Sequence, residues 1–217
     1  MNRLRVRFGR GAALKYISHL DLTRMWHRAL RRAGIALAYS EGFNPHPKLS
    51  LAAPLQLGVT SEAELMDVYT IHPVVATAFV ARLRKELPLG LDVLQVMSVR
   101  LNLPALQAVV RSADYSVRVN AQDESSLGQA ILVLLESRSL PWQHRRDTGM
   151  KSYDLRPLIV SLRLVSYVDG VATLDMRLKS DASGTGRPEQ VVRALGFDSP
   201  LDIHRTRLIL DSTQSRE

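Results

Sequence analysis

The hydropathy pattern of this 217-residue chain predicts an α+β fold built on antiparallel sheets. Apolar side chains recur with the period of two that marks half-buried strands and, elsewhere, with the 3.6 that marks amphipathic helices. The segments follow one another as strand, helix, strand, strand, helix, strand. That order occurs twice, as a repeat of order only, since no sequence identity links the halves. β-α-β-β-α-β is the order of the split, ferredoxin-like unit, an antiparallel sheet with helices on one face. Two tandem ferredoxin-like units are therefore expected. They cover residues 1–102 and 113–211, with a linker over 103–112 that includes a linking helix and a disordered tail at 212–217.

In the first half, Leu4, Val6 and Phe8 alternate with Arg3, Arg5 and Arg7, as in a half-buried strand. Ser18 with Asp21 makes a capping-box-like start, Asp standing in for the usual Glu. A helix runs from there to about Ala33, where Gly34 stops it. Residues 49–58 and 64–71 form a strand pair. Pro73 suits the first position of the next helix, which ends near Pro88, and residues 91–101 are the fourth strand.

In the second half, residues 114–120 alternate like a strand, and 125–136 are helical with Leu127, Ile131, Leu134 and Leu135 apolar. Two longer strands, 158–167 and 171–179, are joined by Val168-Asp169-Gly170, where Asp-Gly is the turn signal. Residues 188–195 make a short helix closed by Gly196, residues 203–210 the last strand and 142–146 a short extra one.

Composition narrows the function classes. Apolar residues make up 46% and charged ones 23%, an ordinary soluble balance, and no apolar run approaches membrane-spanning length. MNRLRVRFGRG starts in an alternating pattern, without a signal-peptide core, so a cytoplasmic location with no membrane partner is expected. The absence of cysteine excludes disulfides, thiolate catalysis and cysteine-bound clusters. The first fifty residues hold ten Lys and Arg against Asp21 and Glu41, while the remainder holds 19 of each sign, so the whole formal excess of +8 lies in that first segment. A one-sided field attracts polyanions.

The helix SHLDLTRMWHRALRRAG carries Leu22, Met25, Trp26, Ala29 and Ala33 on a core face. Arg24, Arg28, Arg31 and Arg32 project from another side, with His27 beside them. Each guanidinium offers the planar fork of donors that suits phosphate. The following stretch, YSEGFNPHPKLS at 39–50, is longer than a helix-to-strand connection needs. Pro45 and Pro47 fix φ and bias Asn44 and His46 toward extended geometry, while Gly42 permits a turn that other residues resist. This stiff loop presents Tyr39, Phe43, Asn44, His46 and Lys48. Rings for stacking, an amide for base edges and a lysine for phosphate are the parts of a single-stranded RNA reader, and Lys15 adds another cation.

His19 and His46, with Tyr39, are candidates for acid and base in RNA cleavage. No HxxxH or HExxH motif is present, so neither a metal site nor a cofactor is expected. In the second half, the run from Lys151 to Pro157 puts Asp154 and Arg156 on one side of an extended chain, as a mutual pair or as part of an anion seat. The glycine-containing run before Pro188 opens a helix, where Thr185, Gly186 and Arg187 could complete that seat. The 39–48 loop is expected to face Arg156 and Arg187 across a shared cleft.

YISHLDLTRMWHRALRRAGIALAYSEGFNPHPKLSLAAPLQLGVTSEAELMDV resembles the N-terminal part of the radical SAM-linked protein family of bacteria. YDLRPLI and SGTGRPEQVVRALG resemble that family's later motifs, so the similarity covers nearly the whole chain. Family members occur beside, or fused to, a radical SAM protein, often near genes of RNA processing. The resemblance implies a radical SAM protein as partner. Such an enzyme needs cysteine thiolates for its iron–sulfur cluster, and this chain has none. The expectation is an accessory protein that binds tRNA or rRNA and presents or recognises the enzyme's substrate. Two alternatives stay open. One is a metal-independent endoribonuclease, because tandem ferredoxin-like domains also occur in CRISPR repeat-processing ribonucleases. The other is a protein-only interaction module.

Overall fold

In the computed structural model, which describes residues 1–146 and 149–211 without the side chains of 144–146 and 151, the alternation of Leu4, Val6 and Phe8 becomes a central strand, β1 (Asn2–Arg10). A short 3₁₀ turn at Ala12–Leu14 leads to α1 (His19–Arg32). Then come β2 (Leu49–Leu51), β3 (Thr60–Thr70), α2 (Ala76–Leu83), β4 (Leu91–Val99) and α3 (Leu106–Val109). The sheet runs β4-β1-β3-β2, with every pair antiparallel. These elements belong to the first of two units, Met1–Val110 with Leu210 and Asp211; the second is Arg111–Ile209.

The core of the first unit lies between this sheet and α1 and α2. Leu4, Val6 and Phe8 pack with Leu22, Trp26, Leu30, Met66, Phe79 and Leu83, each buried large side chain contributing about 1.5–3 kcal/mol. The Phe8 and Trp26 rings meet edge to face, 4.8 Å between centroids. At the start of α1 the Ser18 hydroxyl donates to Asp21 Oδ2 at 2.7 Å and its oxygen accepts the Asp21 N–H at 3.1 Å. The helix stops where Gly34 turns to φ +66°.

The opposite face of β1 departs from the half-buried expectation. Arg3 and Arg5 are both buried, and Asp67, 0% exposed, lies between them. Arg3 Nε donates to Asp67 Oδ2 and Arg5 Nε to Oδ1, both at 2.9 Å. Arg3 also donates to the carbonyls of Leu103 at 2.6 Å and Pro104 at 2.8 Å, so the 103–110 segment lies over this face. A guanidinium is tolerated inside only when its charge and donors are matched, and Asp67 with two carbonyls supplies the match. Arg10 is buried too, with Nη2 on the Lys15 carbonyl at 2.7 Å. Three of the ten cations in the first fifty residues are thus interior, and the outward field is smaller than the charge count suggests.

Two other expectations shift. The strand expected over 49–58 ends at Leu51, because Pro54 lacks a ladder donor and Gly58, at φ +83°, turns the chain. Gln107 on α3 covers that edge, Nε2 donating to the Leu51 carbonyl at 2.6 Å. The helix expected from Pro73 begins at Ala76, since Val75 is still extended at φ −66°, ψ 130°.

The second unit contains β5 (Val110–Asn120), α4 (Glu124–Glu136), β6 (Pro141–Arg146), β7 (Gly149–Asp154), β8 (Ile159–Val168), β9 (Val171–Asp181), β10 (Gly184–Thr185), α5 (Pro188–Ala194) and β11 (Asp202–Leu210). The main strands lie in the order β8-β9-β5-β11, with β10 paired to the end of β9. Asp169 (φ 50°) and Gly170 (φ 76°) close the β8–β9 hairpin, the left-handed pair a tight hairpin turn requires. Asp123 caps α4 by accepting the Ser125 and Ser126 N–H groups at 3.2 and 2.7 Å. The extra strand expected at 142–146 is half of a separate two-stranded ribbon with β7. The tail expected at 212–217 lies outside the described residues. Among the described residues no helix is long and apolar enough to cross a membrane. The whole is mixed α+β with mostly antiparallel sheet.

Candidate functional site

The 39–50 stretch is a closed loop fixed at its base to β3. Going out, Ala38 N–H donates to the Tyr69 carbonyl at 2.8 Å; coming back, Tyr69 N–H donates to the Lys48 carbonyl at 3.1 Å. Lys48 N–H closes onto the Ala38 carbonyl at 2.7 Å, and Tyr39 bridges Pro47. Above that base, Ser40 N–H donates to the His46 carbonyl at 2.8 Å and His46 N–H to Ser40 Oγ at 2.9 Å. Residues 41–46 are all exposed. Gly42 sits at φ +118° with nothing within 4 Å of where a Cβ would lie, so glycine is required there by conformation and not by space. Phe43 is fully exposed at 112%, which excludes an anchoring role for its ring.

α1 presents Arg24, Arg28 and Arg31 to solvent, away from buried Leu22, Trp26 and Ala29. Arg24 reaches Asp21 at 3.4 Å, an exposed pair worth little. The hydrogen bond from Ser18, ahead of the arginines Arg24 and Arg28, holds the Asp21 carboxyl below the usual carboxylate range. Arg32 is different from its neighbours. Its Nε donates to Glu86 Oε2 at 2.8 Å and its Nη2 to the Glu86 carbonyl at 2.7 Å, so it ties α1 to the chain after α2. Arg28 and Arg31 have no hydrogen bond or ion pair among the described residues.

His27 is the half-buried histidine of α1. Burial first, and then the nearby charge of His46, hold its imidazole below the ordinary histidine range. The sequence pattern marks His27 only as a bystander of the arginines; its partner, far along the chain, gives no local signal. Tyr39 and Asn44 are exposed and Lys48 is partly buried. Lys15 Nζ lies 5.1 Å from the centroid of the Tyr16 ring. His19 is the first residue of α1, eight positions and about 12 Å of helix rise from His27. No hydrogen bond joins it to His46 among the described residues.

The second unit's cluster has structural employment. Asp154 Oδ1 accepts the N–H groups of Leu140 at 2.8 Å and Arg156 at 2.9 Å, and these bonds, led by Leu140, hold its carboxyl below the usual range. Arg156 donates through Nη2 to the Leu135 carbonyl at 2.8 Å and through Nη1 to that of Ile159 at 3.0 Å, fastening the end of α4 to β8. A Cβ on Gly186 would stand 3.1 Å from both the Leu158 carbonyl and Leu178 Cβ, so this glycine answers a packing need. Thr185 is exposed, Arg187 precedes the seven-residue α5, and the Lys151 side chain lies outside the described residues. The two regions belong to different units. Among the described residues no group of three potential metal ligands gathers.

The fold is similar to that of chains in several solved structures. One is a Cbf5–Nop10–Gar1 complex, with TM-score 0.56 at 7% identity over 94% of this chain and 48% of that one. The archaeal box H/ACA sRNP Nop10–Cbf5 complex matches at 0.50 and 6%, over 94% and 47%. An H/ACA RNP bound to a substrate RNA containing 2′-deoxyuridine gives the same figures. At these identities the likeness is one of fold, and the present chain spans about half the length of the chains it matches. A comparison with curated proteins finds no match. The family described as "Uncharacterized protein conserved in bacteria (DUF2344)" matches residues 3–188, a span that includes β1, α1 and the whole 39–50 loop, and the chain belongs to that family.

Proposed function

We propose that this protein is a non-catalytic RNA-binding accessory of the cytoplasm, and that the exposed face of α1 and the 39–48 loop are its RNA-binding surface. The observation that carries the reading is Phe43. Burying a phenyl ring contributes about 1.5–3 kcal/mol to a fold, yet this one stands wholly in solvent on a loop closed by paired hydrogen bonds. A base stacked on such a ring recovers about 1–3 kcal/mol, so a nucleic-acid partner gives the exposure a physical reason. Arg24, Arg28, Arg31 and Lys48 then hold phosphates while Tyr39, Asn44 and His46 meet unpaired bases.

Support of a different kind comes from the fold. The order β4-β1-β3-β2 has a counterpart in β11-β5-β9-β8, and we read each unit as ferredoxin-like. Two of the similar solved structures are described as ribonucleoproteins, which fits the reading without assigning their roles to this chain. The radical SAM partner rests on the family resemblance and on the lack of cysteine: cluster chemistry would come from the partner and RNA recognition from this chain.

Binding of total tRNA and of structured rRNA fragments, followed by fluorescence anisotropy over a salt series, tests the proposal. Each phosphate contact on a single strand contributes about 0.7 log units of affinity per decade of salt. Four cations thus predict a fall of roughly 3 log units per decade. Absence of binding at low salt would overturn the RNA reading. Co-purification with a radical SAM protein tests the partnership separately.

A further inference from the structure

The exposed strip of α1 continues beyond the arginines toward the start of the helix, and another uncovered ring stands there. Tyr16 is 72% exposed. Its position is nevertheless fixed. The Lys15 carbonyl just before it accepts both the Gly58 N–H and Arg10 Nη2, each at 2.7 Å. One ring edge, at Cε1, sits 3.7 Å from where a Gly58 Cβ would be, and Lys15 Nζ lies over the ring at 5.1 Å. Leu20, 57% exposed, lies between this ring and Arg24, four residues on. At helical spacing Leu20, Arg24, Arg28 and Arg31 share one face. An exposed ring thus precedes the first residue of α1 by three positions, and the exposed Phe43 stands on the loop that follows the helix in the chain.

Resting on the RNA reading given above, we infer that Tyr16 is a second base-stacking platform. A single-stranded RNA segment then lies along α1, with one base on Tyr16, another on Phe43, and the intervening phosphates on Arg24, Arg28 and Arg31. The chemistry fits a single strand in particular. A duplex keeps its base faces covered, and an acidic peptide offers charge without flat faces. Three phosphates between two stacked bases require four nucleotides, so a trimer cannot fill both rings and the arginines between them, and an octamer can.

Oligoadenylates of three and eight nucleotides, titrated into wild type, Tyr16→Ala, Tyr16→Leu and Phe43→Ala, test the inference. Tyr16→Leu keeps apolar contact with Gly58 but removes the stacking face, and serves if the alanine variant folds poorly. Octamer affinity should fall about 5- to 150-fold in either Tyr16 variant and in Phe43→Ala. Trimer affinity should change far less in the Tyr16 variants than octamer affinity does. If the octamer binds both Tyr16 variants as tightly as wild type while Phe43→Ala loses binding, the second platform is refuted and the RNA reading stands. If wild type binds neither oligonucleotide and no larger RNA at low salt, the RNA reading itself falls.

Discussion

Ser40 and His46 hold each other across the loop, the Ser40 N–H on the His46 carbonyl at 2.8 Å and the His46 N–H on Ser40 Oγ at 2.9 Å. This exchange keeps Phe43 at the loop tip without any packing of its ring. Ser40→Ala removes one of the two bonds, a net loss of about 1 kcal/mol. The expected outcome is faster amide exchange at His46 and RNA affinity reduced several-fold, with no RNA contact deleted. Hydrogen exchange read by mass spectrometry, alongside anisotropy titrations, checks both effects.

Asp67 is the keystone of the other face of β1. Asp67→Ala leaves Arg3 and Arg5 buried without their carboxylate, which destabilises by about 3–5 kcal/mol. For a chain of this size each kcal/mol lowers Tm by about 2–4 °C, so a fall on the order of 10 °C is expected in calorimetry. Arg31→Ala, on the solvent side of α1, should leave Tm unchanged and weaken RNA binding.

If α1 binds RNA as proposed, His27 should make stability and RNA binding respond oppositely to acid. Burial and neighbouring His46 depress its folded-state value below the ordinary 6.5. The fold prefers neutral His27, so this contribution to stability is present above pH 6.5 and lost as pH falls through the depressed value. His27→Gln should flatten that acid-side decline in thermal melts. Bound RNA supplies the negative charge that favours protonated His27, so affinity should rise from pH 8 to pH 6, by at most about tenfold per pH unit for each proton taken up. Titrations at pH 6, 7 and 8 should show that rise in wild type and a shallower one in His27→Gln.

The order of elements was legible because each rests on local signals: Ser18 and Gly34 at the ends of α1, Asp169-Gly170 between β8 and β9, and the alternation of Leu4, Val6 and Phe8. What covers a strand's second face is a long-range fact. Arg3 and Arg5 look like a solvent-side set until Asp67 and the 103–110 segment are brought over them. Of the site, the Pro-braced loop and the arginine face could be read directly, whereas His27 gains its significance from His46 and Tyr16 from its place beside Gly58. In the glycine run before Pro188, Gly186 lies close to Leu158 and Leu178, a packing need that the one-dimensional pattern does not reveal.

Ultraviolet cross-linking of bound RNA, followed by peptide mass spectrometry, tests the central claim most directly, because it reports where the nucleic acid touches the chain. Cross-linked peptides are expected from residues 39–48 and from α1, with the loop cross-link lost in Phe43→Ala. Cross-links confined to residues 111–209, with none in α1 or the loop, would contradict it.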